Sequence, residues 1–104
     1  MQFDLYGSKS AGIEAIRLDI EHALELEFEA RSSSYFGEYF SYERTGERIS
    51  LKPNKEALDE GELIEDDFPE YRLLLYVTGS PRGDEIRKRL SGVPSLSFLR
   101  RDER

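Results

Sequence analysis

The chain has 104 residues, 38% of them hydrophobic and 12% aromatic, enough for one compact core, so a single domain over residues 1–104 is expected. Asp and Glu number 22 against 15 Lys and Arg, a net charge of −7, and the charged share of 36% wraps that core in a charged skin. There is no cysteine, which excludes a disulfide framework, a thiolate metal site and a cysteine nucleophile.

In chain order, Phe3-Asp4-Leu5-Tyr6 alternates apolar and polar side chains and reads as a strand ending at Gly7-Ser8. Ser10 is placed to cap the helix that follows. Ile13, Ile16, Ile20, Ala23 and Leu24 recur at three- and four-residue spacing and form its apolar stripe, with Glu14, Leu18, Glu21 and Glu25 off that stripe. Near Glu25 the period changes from helical to alternating. Leu26, Phe28 and Ala30 against Glu27, Glu29 and Arg31 predict a half-buried strand, and Ser32–Ser34 a loop.

Glu38–Glu43 alternates again, with Phe40 and Tyr42 on the core face and Tyr39 facing out. Thr45-Gly46 is a tight-turn signal, and Arg48–Lys52 continues the alternation, so the pair is predicted to be a hairpin. Pro53-Asn54 ends it. Residues 55–70 carry eight carboxylates and few apolar anchors, and are read as an exposed acidic excursion.

Arg72–Val77 is apolar on both faces, as a central covered strand must be. After Gly79-Ser80-Pro81 a second helix opens at Ser80 or at Gly83-Asp84. Its Ile86 and Leu90 face the core, and Arg82, Arg87, Lys88 and Arg89 face water. Leu96 and Phe98 make a last strand before a charged tail, Arg100–Arg104. The expected fold is α+β: a single, mostly antiparallel sheet of about six strands with two helices on one face. The order is β-α-β-β-β-β-α-β, a ferredoxin-like arrangement with an extra hairpin.

No motif carries catalytic chemistry. His22 is the lone histidine and falls on the helix face opposite Ile13 and Ile20, without companions for a metal or a proton relay. Asp59-Glu60-Gly61-Glu62 lacks the spacing of a calcium loop, and Gly79–Gly83 lacks the lysine of a phosphate loop. No cofactor, metal site or catalytic residue is expected.

Charge points to a partner. Residues 1–70 hold 18 acidic and seven basic side chains, a net of −11, while residues 71–104 carry +4. Such a surface repels phosphate backbones and suits a basic protein, because complementary charge raises association rate and selectivity. Glu62, Glu65, Asp66 and Asp67 are the expected partner-binding residues, with Tyr35 and Tyr39 as aromatic anchors. The competing surface is the acidic helix flank of Glu14, Leu18, Glu21 and Glu25. Met1–Tyr6 has neither the basic nor the apolar region of a secretory signal, and no apolar run approaches the ~20 residues of a membrane span. Cytosolic residence is therefore expected, in keeping with the missing cysteines.

Three segments carry a likeness: Ser33-Ser34-Tyr35-Phe36-Gly37-Glu38-Tyr39-Phe40, Ile49–Asn54, and Glu65–Tyr71 running into Leu73–Val77. Together they resemble the small immunity proteins of bacterial polymorphic and contact-dependent toxin systems. The resemblance implies a non-enzymatic cytosolic protein that binds and neutralises one cognate toxin domain, and it carries no binding residues across. The alternatives are a regulatory or structural interaction domain with an unrelated partner and, third, a small enzyme.

Overall fold

A strand that is apolar on both faces has to be covered on both faces and paired on both edges. A computed structural model of the chain, describing residues 2–10, 12–34, 37–55 and 63–103, gives Leu73–Thr78 that environment. The elements in order are β1 (Gln2–Ser8), α1 (Ile13–Leu24), β2 (Glu29–Ser33), β3 (Gly37–Arg44), β4 (Glu47–Pro53), β5 (Leu73–Thr78), α2 (Gly83–Leu90) and β6 (Ser97–Glu103). The strands form one sheet in the order β2-β3-β4-β5-β1-β6, every neighbouring pair antiparallel. β5 therefore lies between β4 and β1, and Leu73, Leu74, Leu75 and Val77 are all buried.

Without β2 and β3, the order β4-β5-β1-β6 is that of a ferredoxin-like split β-α-β. The extra hairpin extends the sheet by two strands beyond β4, so the α1 crossover joins two parallel strands, β1 and β2, that have three others between them. Both helices lie on one face. Ile16, Ile20 and Leu24 of α1 and Ile86 and Leu90 of α2 join Tyr6, Ile49, Leu51, Leu75 and Val77 of the sheet in one core. This is the predicted helical stripe meeting the predicted alternation.

Turn chemistry follows the residues available. Thr45 and Gly46 both have positive φ, 49° and 82°, the pattern of a two-residue hairpin turn whose twist matches its strands. α1 stops where expected, with Glu25 left-handed at φ 54° and the Leu26 N–H donating to the Glu21 carbonyl. Ser10 does not cap α1. Its hydroxyl accepts from the Gly12 N–H in a local turn, and Gly12 takes the capping position without a side-chain bond.

Three further expectations change. The strand after α1 begins at Glu29, because Leu26 and Phe28 are drawn down against the core before pairing with β3 starts. The charged tail is mostly strand. β6 runs to Glu103 because Arg101 reaches across to Asp4 on β1, through bonds of 2.8 and 3.0 Å, and to Asp84 on α2 at 2.7 Å. Arg82 turns inward, its guanidinium gripping both oxygens of Glu47 at 2.9 and 3.1 Å, while the Ser80 hydroxyl donates to the same carboxylate. Asp4 and Glu47 are both buried, so the start of α2 is tied to β4, β1 and β6 by fork-shaped, charge-assisted bonds.

The Arg82 bonds hold the Glu47 carboxyl below the usual carboxylate range, against the opposing push of burial. A depressed folded-state pKa adds stability that is complete above the unfolded value and is lost as pH falls through the folded one. Thermal unfolding followed by circular dichroism should show the midpoint dropping as the pH is taken below about 4.5, the ordinary value for this group. Glu47→Gln should be less stable at neutral pH by roughly 1–3 kcal/mol and lose part of that acid dependence. Leu75→Asp should not fold, since an unpaired charge in the core costs several kcal/mol against a total of roughly 5–15 kcal/mol.

Candidate partner-binding surface

The sheet face opposite the helices is set by the same alternation that built the core. Its residues stand in rows across the strands: Ser50, Tyr76, Leu5 and Arg100 in one, Tyr39, Lys52 and Leu74 in the next, and Glu43, Arg48, Thr78, Phe3 and Asp102 on the other side. A shallow groove of about 710 Å³ runs along it. Position 7 on this face is a glycine, where a Cβ would stand 2.8 Å from the side chains of Leu99 and Tyr71, which close over it.

The segment after residue 62 lies at one end of that face, held by Asn54. This buried side chain accepts from the Glu65 N–H at 2.8 Å, and its amide donates to the carbonyls of Tyr71 at 2.9 Å and Phe68 at 3.1 Å, with Glu65 at the limit of 3.5 Å. Two consecutive turns result, closed by the Phe68 N–H on Glu65 and the Tyr71 N–H on Phe68. Asp66 and Asp67 occupy the crest of the first. Backbone bonds from Asn54 to Arg72, and from Arg72 to Ser8, join the segment to β4 and β1.

The expected binding residues therefore part company. Tyr39 and Glu65 are half-buried and joined through intermediates. Lys52 lies over the rings of Tyr39 and Tyr76 at 5.7 and 5.0 Å, and the Tyr76 hydroxyl donates to Glu65 at 2.6 Å. Arg100 completes the chain, 3.5 Å from Glu65 and 3.0 Å from Asp102. Glu65 is thus an internal brace, its side chain only 17% exposed, and not one of a set of solvated loop acids. Burial, then the bond to Glu65, raises the Tyr76 hydroxyl pKa; burial and the charge of Arg48 lower that of Lys52. Tyr35 and Glu62 fall outside the described residues.

Asp66 and Asp67 remain exposed, and neither makes an ion pair with a described residue. The competing helix surface differs on this point. Arg17 bonds both Glu14 and Glu21, Glu21 also accepts from the Phe28 N–H, and Glu25 pairs with Arg89. What α1 offers is Leu18, 56% exposed, beside the exposed His22. Among the described residues, no three His, Asp or Glu side chains converge to hold a metal ion, and no helix is long and apolar enough to cross a membrane.

Asn54 and its bonds were not expected. The sequence signal was available: an Asn directly after a strand-ending Pro, before a segment whose turn residues need acceptors and donors from somewhere. Asn54→Ala should cost roughly 1–3 kcal/mol by leaving buried carbonyls unpaired. Hydrogen exchange should then speed up at the amides of Glu65, Phe68 and Tyr71 while β1 and β5 stay protected. Asn54→Asp, which keeps the acceptor but not the donor, should loosen Phe68 and Tyr71 in the same way.

No protein-family model matches the chain, and no curated protein matches it either.

Proposed function

We propose that this chain is a non-enzymatic, cytosolic protein-binding domain, an immunity protein that neutralises one cognate toxin domain of basic surface. The observation that carries the reading is the pair Asp66 and Asp67. They stand in solvent with no intramolecular cation among the described residues, on a turn whose backbone Asn54 bonds at Glu65, Phe68 and Tyr71. A fixed acidic crest loses little entropy on binding and attracts a basic surface from a distance, which raises association rate. The resemblance of the segments around Tyr39, Ile49–Asn54 and Glu65–Tyr71 to toxin-system immunity proteins supplies the kind of partner. A regulatory or structural interaction domain would use the same crest on a different basic protein.

The product of a toxin gene adjoining this one is the probe that tests the proposal. Asp66→Lys with Asp67→Lys should leave the melting temperature nearly unchanged, slow association by about tenfold, and flatten its dependence on salt. Glu65 is excluded from that variant because it braces the sheet face. Association at the wild-type rate across a salt series rules out the crest as the site. Absence of any binding to, or protection from, the neighbouring toxin removes the immunity reading itself.

A further inference from the structure

β2 is an edge strand: it pairs with β3 on one side, and among the described residues no strand occupies the other. Free edges expose rows of unpaired N–H and C=O groups and are normally blunted by short length, charged side chains, proline, bulges or inward charges. The opposite edge is blunted in this way, since β6 carries a register shift against β1 and turns Arg101 inward on Asp4. β2 has no proline, bulge or inward charge; its five-residue length and the exposed charges of Glu29 and Arg31 are its only protection, and those charges turn away any strand that does not complement them. Its five residues, Glu-Ala-Arg-Ser-Ser, pair regularly with β3, and Glu29 to Ser32 are exposed.

The side chains of this edge also complement themselves. Glu29 and Arg31 lie on the same face, 3.5 Å apart at their charged ends. If a second copy of β2 is laid antiparallel against the first about a two-fold axis at Ala30, each Glu29 stands opposite the other copy's Arg31. Ala30 faces Ala30, with no bulk to obstruct the approach. Moving the axis to Arg31 sets two guanidiniums directly opposite each other, a destabilising pair, so charge selects the Ala30 register. We propose that β2 is a self-association edge, through which two copies of this chain join their six-stranded sheets into one continuous twelve-stranded sheet. Self-complementary patches of this kind are what a two-fold dimer requires. The ladder is short, so the dimer is weak and concentration-dependent. The acidic crest follows β4 in the chain and rests on the Tyr76–Arg100 side of the sheet, away from this edge, so dimerisation leaves it free; the inference does not depend on the immunity reading.

Sedimentation velocity over a concentration series tests it. The wild-type chain should shift from monomer to dimer. Arg31→Glu alone and Glu29→Arg alone each place like charges opposite one another, and should raise the dimer dissociation constant about tenfold or more. An equimolar mixture of the two should recover association as a heterodimer, and the double swap Glu29→Arg with Arg31→Glu should recover it as a homodimer. Both positions are exposed, and circular dichroism checks that each variant folds. A wild-type chain that stays monomeric throughout overturns the proposal. So do single variants that dimerise as the wild type does, or a mixture and double swap that both fail to recover.

Discussion

One carboxamide decides the shape of the acidic side of this molecule. Asn54 is the point at which β4 hands over to the segment before β5, and it serves both ends of the problem that such a crossing creates. A chain turning twice between Glu65 and Tyr71 leaves carbonyls facing inward, and inward carbonyls need donors. An amide carries two N–H bonds and an acceptor in one plane, so a single side chain meets Tyr71, Phe68 and the Glu65 N–H together, with the Glu65 carbonyl as a distant fourth partner. Carboxylates in the same segment then have defined directions. Glu65 turns onto Tyr76 and Arg100, and Asp66 and Asp67 turn out.

The distribution of acid over the molecule has a common logic. Carboxylates that the fold uses are matched by arginines: Asp4 with Arg101 and Glu47 with Arg82 through two-bonded forks, and Glu21 with Arg17 through a single bond. The basic excess after residue 70 is largely consumed in this way, because Arg82, Arg89, Arg100 and Arg101 all reach acids from earlier in the chain or its partner strands. What is left over at the surface is acidic on balance, since the chain as a whole carries −7. The charge asymmetry between the two parts of the sequence is thus partly an internal pairing scheme and partly an outward field, and the two are distinguished only by burial.

The fold was readable because its signals are periodic. The alternation of Arg48–Lys52, the double-sided apolar run at Leu73–Val77 and the stripe of Ile13, Ile16 and Ile20 each specify a face, and facing surfaces must meet. Thr45-Gly46 was readable because few residues tolerate left-handed backbone. Three of the misreadings share a different cause. Arg82, Arg101 and Glu65 were assigned to solvent by their charge, yet each lies where a partner distant in sequence meets it: Glu47, Asp4, Tyr76. Periodicity says which way a side chain points; it does not say that an opposite charge 35 or 97 residues away has been placed to receive it. The candidate surface was legible only as a concentration of acid. Which acids stay free depended on Asn54, a residue with no periodic signature.

Strand order also governs how the chain can reach this structure. β1 occupies an inner position between β5 and β6, so Phe3 finds its neighbours at Thr78 and Asp102. Both are contacts of long sequence separation, and the loop entropy of closing them is incurred before either gives its return. The β3–β4 hairpin, by contrast, closes on a two-residue turn, and β2 adds to it from nearby. The β2-β3-β4 meander is therefore held by contacts of short sequence separation, and the β5-β1-β6 half of the sheet by long ones. The first strand of the chain thus covers the edge of β5, a strand about 70 residues later, and any loss of β1 would uncover a doubly apolar strand on that side.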